Sequence, residues 1–96
     1  MGLSQASGQA QVLVMRPRSI EEANRCIVEV REGNTVVLSL GEGGVSPEED
    51  QRIIDFVSGG VHALDGKRAR AGEDVFIFAP ILGQIDFVPV VSKAAA

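Results

Sequence analysis

With 96 residues the chain is one domain at most, able to bury only roughly 60–65% of its unfolded surface. Apolar residues make up 45% of it, too many for a disordered chain, and Trp and Tyr are absent, which removes the usual aromatic platforms for bases and ligand cages. A formal charge of −4 argues against nucleic acid as a partner, and no stretch approaches the ~20 apolar residues of a membrane helix.

Residues 1–10 are rich in Ser, Gln, Gly and Ala and read as a flexible lead-in to a globular core over 11–92, with 93–96 frayed. The lead-in lacks the basic start and apolar run of a secretory signal, and it is too uncharged for an amphipathic anchor. Val12-Leu13-Val14-Met15 is a short apolar run that suits a buried strand, stopped by Pro17. Ser19 opens a helix, with Glu22 at capping-box spacing and Ile20, Ala23, Ile27 and Val30 forming one apolar stripe. Gly33-Asn34 ends it, and Thr35-Val36-Val37-Leu38-Ser39-Leu40 is the second strand. After the loop Gly41-Glu42-Gly43-Gly44, Ser46 caps a second helix running to about residue 64, with Pro47 at the first helical position and Glu49 completing the box. Asp65-Gly66 ends that helix, Gly66 being the residue suited to a left-handed cap.

Residues 67–71 form a short polar strand, Ala71-Gly72-Glu73-Asp74 a hairpin turn, and Val75-Phe76-Ile77-Phe78-Ala79 an apolar strand. Pro80 to Gly83 turns the chain into a last strand at 85–91, which Pro89 places at an edge. The expected architecture is an α/β (α+β) two-layer sandwich in the order β-α-β-α-β-β-β: about five mixed strands with two helices on one face. Three strands are apolar at nearly every position, the pattern of strands buried on both sides. Two helices cover one face only, so the other face calls for a partner sheet and the chain is expected to be a dimer or larger oligomer.

The second helix has two usable faces. Ile53, Ile54, Val57, Val61 and Leu64 fall together and face the sheet. Phe56, Gly59, Gly60 and Ala63 fall on an adjoining side, one ring beside small residues. Glycine inside a helix costs about 1 kcal/mol relative to alanine, so two in succession suggest that another helix comes close. That helix is either the first helix of the same chain or one from a second copy.

Signals for catalysis are weak. The glycine loop precedes a helix, as phosphate loops do, but it carries Glu42 and continues as Val45-Ser46-Pro47 in place of Gly-Lys-Ser/Thr. Its neighbourhood is the one place where a rival function, a small dimeric regulatory domain binding a metabolite, would find polar groups. His62 and Cys26 are each single in the sequence; Cys26 reads as an inert buried thiol and His62 as a surface residue. One cysteine allows no internal disulfide and fits a reducing cytosol. The carboxylates Glu21, Glu22, Glu48, Glu49 and Asp50 sit in helix first turns, where they oppose the helix dipole. No enzyme activity, metal or cofactor is expected. The basic group Lys67, Arg68 and Arg70 precedes Phe76 across the hairpin, and strand alternation puts Arg68 and Arg70 on one side. Basic side chains beside an exposed aromatic suit a peptide with acidic and apolar residues; the plainer alternative is a charged, aggregation-resistant edge strand.

The run from Asp50 through Phe56-Val57-Ser58-Gly59-Gly60-Val61-His62-Ala63-Leu64 to Asp65-Gly66 strongly resembles the signature of the SepF family. Arg16-Pro17-Arg18-Ser19 and Val75-Phe76-Ile77-Phe78-Ala79-Pro80 look like the same family, so the likeness covers roughly residues 12–80. The resemblance implies a non-enzymatic, cytosolic adaptor at the division site that tethers FtsZ to the membrane and supports septum assembly. It implies a dimer, sometimes a polymer, that binds the C-terminal peptide of FtsZ through Arg70 and Phe76, with Arg68 beside them. The family's helix-to-helix contact maps onto Phe56, Gly59, Gly60 and Ala63. Family members usually begin with an amphipathic membrane-targeting helix and a linker; residues 1–10 match neither, so membrane contact is expected only through a helix outside this sequence. They also often have an aromatic where His62 stands.

Overall fold

The computed structural model describes residues 9–41 and 43–90. The frayed end expected at 93–96 and most of the lead-in expected at 1–10 lie outside the described residues. The elements run β1 (Val12–Met15), α1 (Ile20–Arg31), β2 (Thr35–Ser39), α2 (Pro47–Ala63), β3 (Lys67–Arg70) and β4 (Val75–Ala79).

Local chemistry sets both ends of each helix. Ser19 Oγ accepts from the Glu22 amide at 3.1 Å, while the Glu22 carboxylate reaches one residue further than a standard box, to the Arg18 amide at 2.8 Å. At the other end Gly33 takes φ 98°. The Gly33 and Asn34 amides return to Val30 and Glu29 carbonyls at 3.0 and 2.9 Å, closing a Schellman motif. Buried Asn34 then accepts the Gln11 amide at 2.9 Å and donates to Glu29 Oε1 at 2.8 Å. The other Glu29 oxygen takes Arg25 Nε at 2.7 Å. Arg25, with help from Asn34, holds the Glu29 carboxyl below its ordinary pKa.

Only half of the second capping box forms. Ser46 Oγ accepts the Glu49 amide at 3.1 Å, but the Glu49 carboxylate faces Arg52 at 3.4 Å. The expected left-handed Gly66 is also corrected: Asp65 takes that conformation, at φ 58°. Its amide donates to the His62 carbonyl at 3.0 Å and that of Gly66 to Val61 at 2.9 Å. Gly66 is needed for space instead, because a Cβ there would stand 2.7 Å from the Ala79 carbonyl oxygen.

The sheet is mixed, in the order β1-β2-β4-β3. β1 runs parallel to β2, while β4 is antiparallel to both β2 and β3. The expected fifth strand at 85–91 is not there: residues 85–90 are irregular, and Val91 lies outside the described residues. Pro89 offers no amide to a ladder and restricts Val88, which leaves too short a run to pair with an edge.

Ala23, Cys26 and Val30 of α1 and Ile53, Val57 and Val61 of α2 bury against Val36, Leu38, Leu40, Phe76 and Phe78. Val36 lies opposite Phe78, and Leu38 opposite Phe76, so these sheet residues share a face and both helices lie on it. The core stripe of α2 is narrower than its periodicity suggests, since Ile54 and Leu64 are only half-buried. On the opposite face Val12 and Val14 are 68% and 61% exposed, beside half-buried Val37 and Ile77, and among the described residues no helix covers them.

Candidate functional site

β3 is an edge strand, and its alternation assigns its side chains. Arg68 lies opposite Phe78 and Arg70 opposite Phe76, so both arginines stand on the helix-bearing face. That face is already occupied further in by α2, and the two arginines form the rim beyond it. Arg68 Nη1 donates to Ser58 Oγ of α2 at 3.0 Å, which links the rim to the helix. Arg70 is held twice by the hairpin turn, through Nε to the Gly72 carbonyl at 3.0 Å and Nη2 to the Glu73 carbonyl at 2.7 Å. This grip sets the guanidinium carbon 5.4 Å from the centroid of the Phe76 ring, a cation–π arrangement.

Phe76 itself departs from expectation. It is 7% exposed and belongs to the core, so it is no free aromatic contact. The phase of the strand decides this: Phe76 and Phe78 point toward the helices, and Val75 and Ile77 away from them. Only the small exposed part of the ring reaches the groove, beneath Arg70.

Between the arginines and α2 runs an open groove of about 870 Å³. Asp50, Ile54 and Asp55 line it from α2, Arg68 and Arg70 from β3, and Gly43 from the loop. Glu73 and Asp74 of the hairpin turn line it as well, so the two arginines stand among four carboxylates, with Ile54 apolar on the α2 side and Phe76 beneath Arg70. That arrangement can hold an extended segment carrying both apolar and charged side chains. Phe87, from the irregular stretch after β4, also lines the groove. Sequence reading assigned Phe87 to a strand and missed this position; the available signal was Pro89, which weakens any strand there.

The residues expected to mediate self-association separate into two groups. Phe56 is 37% exposed, Ala63 is exposed, and a Cβ on Gly59 would meet open space. Gly60 faces the other way: the site of its missing Cβ is taken by Ile27 of α1, whose Cγ1 would be 2.8 Å away. Its lack of a side chain serves the contact between the two helices of this chain.

The remaining sequence candidates lie apart from the groove. Cys26 is fully buried, and burial pushes its thiol up to about 11, so it is protonated and unreactive at neutral pH. His62 is exposed near the end of α2. In the glycine loop, Gly41, Gly43 and Gly44 have φ of 78°, 87° and 76°, and the Arg18 guanidinium packs against Gly44. Among the described residues no group of three or more His, Cys, Asp and Glu is placed to hold a metal ion. No helix there is long and apolar enough to cross a membrane.

Several known proteins are similar to this chain. A family model described as "Cell division protein SepF" matches residues 12–82. A "Cell division protein SepF" from Synechococcus sp. (strain RCC307) is 46% identical over 74 residues, which is 77% of this chain and 39% of that protein. Its counterpart from Synechococcus elongatus (strain ATCC 33912 / PCC 7942 / FACHB-805) is 44% identical over 80 residues, 83% of this chain and 41% of that protein. The chain thus spans about two fifths of the length of these relatives. Among solved structures, a SepF-like protein from Archaeoglobus fulgidus superimposes with a TM-score of 0.74 at 19% identity, over 86% of this chain and all of that one. One from Pyrococcus furiosus gives 0.72 at 18% identity, over 81% and 95%. At such identities these two show the fold alone. The length and identity of the sequence matches go further: the chain belongs to the SepF family.

Proposed function

We propose that this domain is a non-enzymatic cell-division adaptor that binds the C-terminal tail of FtsZ in the groove between α2 and β3. The carrying observation is the pair Arg68 and Arg70, fixed by α2 and by the hairpin turn and standing beside an apolar floor. Two held cations lose little side-chain freedom when a carboxylate arrives, and Ile54 and the exposed part of the Phe76 ring take up apolar side chains. The adaptor self-associates as a dimer or polymer, through the uncovered sheet face and through Phe56, Gly59 and Ala63 on the outer side of α2. It acts on the cytoplasmic side of the division site, and it tethers FtsZ to the membrane only if a longer form of the protein carries a membrane-binding segment.

Arg70→Glu tests the groove. The expected result in titration calorimetry is at least a tenfold (about 1.4 kcal/mol) loss of affinity for a synthetic FtsZ tail peptide, with an unchanged thermal melt. Equal affinity would overturn the assignment. Phe76→Ala is a poor probe, because truncating a buried Phe costs about 3–5 kcal/mol of stability and confounds binding with unfolding.

A further inference from the structure

After the turn closed by Gly83 N to the Pro80 carbonyl at 2.8 Å, residues 84–90 leave the sheet. Among the described residues they make no main-chain hydrogen bond. Most of their side chains face outward, and Phe87 is 75% exposed. A free arm this apolar would normally be excluded from a small domain's surface or docked on it. Phe87 is in fact found at the groove, lining it together with Arg68, Arg70, Phe76 and Ile54.

The composition of the arm matches the place. Ile85-Asp86-Phe87-Val88-Pro89-Val90 has a single carboxylate, one aromatic, several aliphatic side chains and a proline. Pro89 biases Val88 to an extended backbone. Two arginines set among carboxylates offer a place for a single carboxylate, and Ile54 and Phe76 offer apolar contact, so the groove suits an extended, mostly apolar segment with one acid; the chain carries one a few residues beyond its last strand. Tethering by so short a connection gives the arm an effective concentration of order millimolar, so weak contacts suffice to keep it there part of the time.

We infer that the arm formed by residues 84–90 is an internal, reversible occupant of the groove, which an incoming tail peptide displaces. This rests on the groove being the peptide site. The exposure of Phe87 shows that the arm is held by few contacts, so the closed form is shallow and the open form well populated. The apparent affinity for a peptide is then the intrinsic affinity multiplied by the open fraction.

The test uses the full chain and the variant Phe87→Ser, with two readouts. In the free protein, Phe87→Ser should shift the amide resonances of Arg68, Arg70 and Ile54 while the core amides stay in place. It should also bind the FtsZ tail peptide about two- to threefold more tightly than the parent chain, as an open fraction of about a third to a half requires. Unmoved groove resonances would overturn the inference, and so would an affinity equal to or below the parent's. If the tail peptide binds neither protein, the proposed function fails, and the resonances still report whether the arm lies in the groove. A synthetic peptide of residues 84–90, added to Phe87→Ser, should shift the same amides; no shift would count against the inference.

Discussion

Arg70 is tightly placed, held by the Gly72 and Glu73 carbonyls and set over the Phe76 ring. Strand alternation alone placed it on one side with Arg68, because a β strand puts alternate residues on a common face. Which side that was could not be read from Val75-Phe76-Ile77-Phe78, where every residue is apolar and the pattern has no phase. Pairing with β2 supplies the phase, and it buries Phe76 while leaving Arg70 over its ring. At the same scale, Glu29 carries a testable pH dependence. Its carboxyl is held below the ordinary value, chiefly by Arg25 and further by Asn34. A depressed folded value means that the contribution is present above the unfolded value and is lost as pH falls through the folded one. Glu29→Gln should therefore flatten the acid-side decline of thermal stability without changing its alkaline side. An identical decline in parent and variant would remove Glu29 from the account.

Elements were legible where their signals were local. Both N-caps, the hairpin turn and the start of each helix follow from side chains within four residues. The fifth strand was not, because an apolar run becomes a strand only when an edge accepts it, and Pro89 spoils the match. Nor could helical spacing reveal the neighbour of each glycine in α2. Gly59 and Gly60 are adjacent in the chain but have opposite surroundings, open space for one and Ile27 for the other. Gly59→Ala is expected to stabilise the domain by about 1 kcal/mol, the ordinary helix-propensity gain. Gly60→Ala should gain at least about 1 kcal/mol less, since Ile27 must move. Urea unfolding of both variants measures the difference. Equal gains would mean that the α1–α2 contact is slack.

For the molecule as a whole, the question is what covers the second face of the sheet. β1 and β4 are apolar on both sides, yet the helices shield only one, and Val12 and Val14 are left facing solvent. Continuous apolar strands were readable from the sequence, but the identity of the cover was not, because a single chain records no partner. If a second copy supplies it, Val14→Lys should lower the mass seen by light scattering to that of a monomer, with little cost to the isolated fold because the side chain is already exposed. An unchanged mass would exclude this face from assembly.

The strand order also decides how the domain answers a pull. The chain enters at β1, on one edge, where Asn34 clasps Gln11; the groove lies at β3, on the opposite edge. A load applied ahead of Gln11 and resisted by something gripped by Arg68 and Arg70 passes through all four strands, with α2 as a second path from the groove's other wall. The hydrogen-bonded ladders between them then bear tension together, with α1 and α2 bracing one side. Mechanically, the sheet is a crosspiece between its two attachment points, and the Gln11–Asn34 clasp is the rivet at one end.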